Sequence, residues 1–328
     1  MPSAATQINS PWNGWRILLP GFLQRSVAKP WWLLLVAFAL ELSGAMFAAI
    51  FGYIPMVSDL FSLSTDNMPD SLYALGYFML VLLPLTILAG LFFPTVVYPT
   101  EELRRSSVSN DVVSLFIGLP ILLGSMAFTW RGSLLGLLFW PGALFYTTYN
   151  YTTYAVAMPF TLPFVPFLAL VLLSVYIIYH LLSSVDAAAV QAQLQGKVTE
   201  RFTGGALIGF SILMFLLAVG ALASAVSGQV ATSWPELAVR IADLLIAPAW
   251  LVGGILLWRR RAFGYVIGAG LLFQASMLFV SLFIFFILRP FVAGVPFPMQ
   301  DFVVVAVMSL ICFIPFALFV RGVASKEG

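Results

Sequence analysis

Charge is scarce in this sequence. Only 9% of its 328 residues are Asp, Glu, Lys or Arg, where a soluble globular domain carries about 25%. Cysteine and histidine occur once each, as Cys312 and His180. One cysteine excludes an intramolecular disulfide and an iron–sulfur site, and one histidine excludes a bis-histidine haem. Together they supply no cysteine/histidine zinc set. Beyond these exclusions the cofactor stays open. A net charge of +2 with no basic cluster offers nothing to nucleic acid. Also missing are a nucleophile paired with a histidine, a paired acidic metal motif and a phosphate-binding Gly-rich loop, which argues against an enzyme.

What is abundant is apolar. Hydrophobic residues make up 62% of the chain, 30 of them Phe, and the mean hydropathy is +1.03. A membrane span needs about 20 such residues, and in lipid a helix satisfies its own backbone groups. Nine stretches qualify: 31–54, 72–97, 112–130, 134–157, 162–183, 204–227, 239–258, 263–288 and 302–320. The fold class is therefore all-α, a polytopic transmembrane helical bundle of about nine spans. Residues 1–30 form an N-terminal interfacial arm, and residues 31–328 a single transmembrane domain. In the arm Trp12, Trp15 and Phe22 alternate with Arg16, Arg25 and Lys29, a mixture suited to the headgroup layer rather than to a signal peptide.

Cations in the loops orient the bundle. Placing the C-terminus in the cytoplasm puts eight Lys and Arg inside and two outside beyond Asn110. The loop after the first span pulls the other way, with Asp59, Asp66 and Asp70 and no cation. Residues 184–201 read as a short amphipathic helix on the cytoplasmic surface. Arg259, Arg260 and Arg261 beside Trp258 read as a stop signal and lipid-phosphate anchor. Gly132/Gly136, Gly205/Gly209 and Gly264/Gly268 are small-residue pairs that let helices approach. Pro84, Pro120, Pro248 and Pro315 are expected kinks.

The stretch Asn110-Asp111-Val112-Val113-Ser114-Leu115, followed by Gly118-Leu119-Pro120, Arg131-Gly132-Ser133-Leu134, Leu144-Phe145-Tyr146 and Tyr149-Asn150-Tyr151, resembles a pattern in uncharacterised multi-pass membrane proteins of bacteria and archaea. The resemblance covers the middle third of the chain well. It implies a prokaryotic plasma membrane, with Arg131 on the cytoplasmic side, and no assigned activity.

Ionisable groups inside a bilayer cost about 2.5–3.5 kcal/mol each on insertion scales, so each is a candidate for function. Glu41 lies in mid-span with no cap to explain it. It reads either as a protonatable carrier or as a neutral hydrogen-bonding carboxyl. Asn110-Asp111 opens the 112–130 stretch and reads as an N-cap. Arg240 precedes Asp243 by three residues, so the two share a helix side as an ion pair or a headgroup site. His180 falls at a cytoplasmic helix end and reads as interfacial. At 100° per residue, Gly142, Tyr146, Tyr149, Asn150, Thr153 and Ala157 share one face. That face either lines a cavity or bonds neighbouring helices, and Gln274 adds a second buried amide.

Three functions fit this pattern. Transport or binding of a small molecule or lipid through an intramembrane cavity leads, with Glu41, Tyr146, Tyr149, Asn150, Asp243 and Gln274 lining it. Asp111, His180 and Arg240 stand behind them. The alternatives are a non-catalytic structural subunit of a larger membrane complex and a membrane enzyme acting on lipid. Membrane lipids are the expected partners in every case. Short loops and apolar faces are compatible with an oligomer or further subunits.

Overall fold

The computed structural model describes residues 70–228, 233–294 and 296–324. The expected first span, Glu41 and the interfacial arm lie outside them. All regular structure among the described residues is helical: α1 Asp70–Phe92, α2 Pro94–Val97, α3 Glu101–Val113, α4 Leu119–Trp130, α5 Leu134–Ala157, α6 Phe164–Ser184, α7 Ala187–Leu194, α8 Glu200–Val226, α9 Trp234–Trp258, α10 Ala262–Ala293 and α11 Met299–Ala324. Seven segments are long and apolar enough to cross a membrane: α1, the continuous α3–α4 rod, α6, α8, α9, α10 and α11.

The α3–α4 rod starts earlier than expected. Its cap is Thr100, whose hydroxyl accepts from the Leu103 N–H, and Glu101 and Glu102 occupy the first turn, where the helix dipole favours acids. Asp111 is consequently not an N-cap: it sits ten residues into the helix, roughly 15 Å along its axis. The polar run 101–111 hides this start from a hydropathy reading. Pro120 acts through the wider five-residue π turn Ser114–Gly118, closed by the Leu119 N–H to the Ser114 carbonyl. The added residue relieves the clash a proline ring makes one turn back.

Helix α5 is the least apolar long helix and the most central. It packs against α4, α6, α9 and α10, and Trp140, Leu144, Tyr146 and Tyr151 are buried along it. The reason is solvation: lipid offers no hydrogen bonds, so a helix whose residues 146–154 are all Tyr, Asn or Thr is best surrounded by protein. Its crossing with α10 is close, because a Cβ on Gly142 would meet the Gly270 carbonyl oxygen. Gly205/Gly209 does not serve as expected, since Gly209 faces open space. The α8–α9 approach uses Gly204 and Gly254 instead, and a Cβ on Gly254 would lie 2.9 Å from the Gly204 carbonyl oxygen.

At the cation-rich end, α7 is capped by Asp186, whose Oδ1 accepts from the N–H groups of Ala188 and Ala189. This helix occupies part of the expected 184–201 segment. Glu200 belongs to α8 and is buried, accepting from the Gly196 N–H at 2.7 Å and the Tyr265 hydroxyl at 3.1 Å. Arg260 turns toward it at 3.6 Å, so one of the three expected lipid-anchoring arginines pairs within the protein. Gln191 donates to the Arg260 carbonyl, and Gly322 of α11 packs on the Lys197 backbone.

Candidate functional site

The polar stripe of α5 divides between packing and a cavity. Tyr146 faces α10, with its hydroxyl 2.6 Å from Ser281 Oγ. One turn on, the Tyr149 hydroxyl donates to Asp243 Oδ1 at 2.8 Å. Arg240 Nη1 donates to the other carboxylate oxygen at 3.1 Å, so the ion pair expected from the spacing forms. It is lopsided: the Asp243 side chain is 6% exposed and that of Arg240 39%. Asn150 bonds its own helix, through Nδ2 to the Tyr146 carbonyl.

Tyr149, Asn150, Thr153, Arg240 and Asp243 form the polar wall of a cavity of about 690 Å³. Apolar side chains line the rest of it, among them Phe210 and Met214 of α8, Leu282 and Phe286 of α10, and Met308 of α11. Trp250 lies at the inner part, and exposed Gln300 and Asp301 stand at the mouth. Leu217 of α8 and Val304 of α11 also line it while remaining 45% and 52% exposed. The cavity rim therefore opens sideways between α8 and α11. A volume of this size matches a drug-sized or lipid-headgroup ligand.

Other expected residues lie elsewhere. Gln274 is fully buried behind the cavity, where its Oε1 accepts from Trp250 Nε1 at 2.7 Å. Its Nε2 has no hydrogen-bond partner among the described residues. His180 is half-buried between Tyr176 and Tyr179, at ring centroid separations of 4.3 and 5.2 Å, and lines no part of the cavity. Among the described residues no group of three or more His, Cys, Asp or Glu could hold a metal ion.

Asp111 is the largest correction. It is 1% exposed, and Tyr98 donates to its Oδ2 at 2.6 Å while Tyr154 donates to its Oδ1 at 2.8 Å. Tyr98 is fully buried in the link before α3. Burial, and then the adjacent Asp111 charge, hold its phenol well above its ordinary range, so Tyr98 remains a hydrogen-bond donor. Gly90 of α1 closes the site, since a Cβ there would overlap Asp111 Oδ2 and the Tyr98 hydroxyl. Tyr98, Tyr154 and buried Trp250 are absent from the sequence-derived candidates. Tyr154 carried a signal, lying one helical turn after Asn150; Tyr98 carried none, because its partner is chosen by the folded loop.

Seven segments long and apolar enough to cross a membrane mark an integral membrane protein. The chain matches no family model, and no curated protein or solved structure is significantly similar to it.

Proposed function

We propose that this protein binds a small amphipathic molecule or lipid in its intramembrane cavity and moves it toward or across one leaflet. The observation that carries the reading is the mixed lining of the cavity: Asp243, Arg240, Tyr149 and Asn150 beside Phe and Met side chains, with exposed Leu217 of α8 and Val304 of α11 at its rim. An amphiphile gains from both kinds of lining at once, whereas a hydrated ion gains nothing from the apolar part. In this reading α5 is an eighth crossing, the 31–54 stretch a ninth, and the cation-rich end with the C-terminus faces the cytoplasm. The cavity then opens on the outer side.

Native mass spectrometry of the protein in mild detergent tests this. The wild type is expected to retain an amphiphile stoichiometrically. Val304→Trp, which fills the lateral rim, and Asn150→Ala are expected to lose it, while Phe93→Trp on an outward face keeps it. Equal retention in all four proteins overturns the reading. Co-purifying foreign subunits with an empty cavity move the function to a structural subunit.

A further inference from the structure

We propose that Asp111 is a proton-binding site that exchanges with the cavity through the Tyr154 hydroxyl. Asp111 is enclosed by α1, α5 and the link before α3, and no described Lys or Arg forms an ion pair with it. The arginines nearest in sequence, Arg104 and Arg105, pair with Glu101 at the start of the helix, at 2.6 and 3.0 Å. The titratable groups facing the carboxyl are phenols: Tyr98 from the link, and Tyr151 and Tyr154 from α5. α1 approaches the carboxyl at Gly90, which has no side chain to titrate. A carboxylate held this way in a bilayer lacks the cation that would fix its charge, which leaves a proton as the natural counter-charge.

The hydrogen bonds around Tyr154 accommodate both states with the heavy atoms in place. Tyr154 Oη lies 2.8 Å from Asp111 Oδ1, 3.1 Å from the Ser107 carbonyl oxygen and 3.1 Å from Asn110 Nδ2. An ionised carboxylate only accepts, so Tyr154 donates to Oδ1 and Tyr98 to Oδ2. A protonated carboxyl has one donor, so Oδ1–H donates to Tyr154 Oη while the Tyr154 hydrogen turns to the Ser107 carbonyl. Asn110 donates to Tyr154 Oη in either case.

Tyr154, Asn110 and Ser107 all line the cavity, and Asp111 does not. Tyr154 is therefore the atom-level contact between a sealed carboxyl and an open space. A proton arriving from the cavity binds Tyr154 Oη as the phenol proton passes to Asp111 Oδ1. Tyr154 stays neutral, and the net change is one proton gained by Asp111; release runs in reverse. Such a two-group relay is ordinary general acid–base chemistry at hydrogen-bond distance.

The test is infrared spectroscopy of the full chain reconstituted in lipid, titrated from acid to alkaline pH and then exchanged into heavy water. No ligand is present, so the result stands or falls apart from the amphiphile reading. The expected result is a protonated-carboxyl C=O band that vanishes at alkaline pH, is missing from Asp111→Asn, and survives in Asp243→Asn. Tyr154→Phe keeps the ring stack on Phe167, at 5.0 Å between centroids, and removes only the hydroxyl. That variant is expected to slow deuterium exchange of the band about tenfold or more. A spectrum with no pH-dependent band assignable to Asp111 overturns the proton site. Unchanged exchange in Tyr154→Phe overturns the route through the phenol. If Asp111→Asn fails to fold, site-specific isotope labelling of the wild-type aspartates makes the same assignment.

Discussion

Two buried aspartates flank α5, and each is held by a tyrosine of that helix. Asp243 takes Tyr149 and a cation; Asp111 takes Tyr154 and a second phenol. The difference follows from position. Asp243 lies in the third turn of α9, where Arg240 one turn earlier reaches it while keeping its own head 39% exposed at the cavity. A long cationic side chain near a helix end bridges water and protein in this way. Asp111 is a similar distance from a helix start, but Gly90, Tyr98 and the Tyr151–Tyr154–Phe167 stack enclose it, leaving no path for a long side chain. A charge compensated by a fixed cation is static; one compensated only by phenols can change its protonation.

The sharpest way to break the contrast is at Gly90. Gly90→Ala drives a methyl group into the Asp111 carboxyl and the Tyr98 hydroxyl, and is expected to cost about 3 kcal/mol, the upper end for overpacking. Thermal unfolding in detergent measures it, and an unchanged melting temperature would mean the pocket around Asp111 is loose. Next comes the pair on the other side. Arg240→Gln strands a nearly buried carboxylate and should cost about 2 kcal/mol, whereas Asp243→Asn leaves an arginine that water already reaches and should cost less than about 1 kcal/mol. Equal losses in the two variants contradict the lopsided burial. The smallest effects are expected at the phenols. Tyr98→Phe should cost about 1.5 kcal/mol, and Tyr149→Phe about 1 kcal/mol or less, because Arg240 still satisfies Asp243. Reversal of that order would show that the cation contributes little.

The Asp243–Arg240 pair was legible in the sequence because three residues on one helix fix the geometry. That the polar residues of α5 share one face was legible for the same reason, and the expected 134–157 span matches the helix Leu134–Ala157; how that face divides between packing and cavity was not. Asp111 was misread for a physical cause. An Asn-Asp pair at the edge of an apolar run looks like a cap, whereas the polar residues before it already form a helix capped at Thr100, with Leu103, Ser107 and Ser109 buried. Gln274 was read as a cavity residue from its chemistry, but its rotation on α10 turns it to Trp250. Gly209 failed as a packing glycine because nothing approaches that face of α8.

The sequence by itself determined that the chain is helical and built for a membrane. Apolar length and the need to satisfy backbone groups in lipid are local properties, written within each stretch of about 20 residues. It also determined pairings within one helix, which depend only on a 3.6-residue period. The tertiary structure decided which polar groups meet across helices, such as Tyr149 with Asp243 across 94 positions and Tyr154 with Asp111 across 43. Those meetings depend on how each helix is rotated and how closely glycines let it approach its neighbour, and packing fixes both only once all the helices are together.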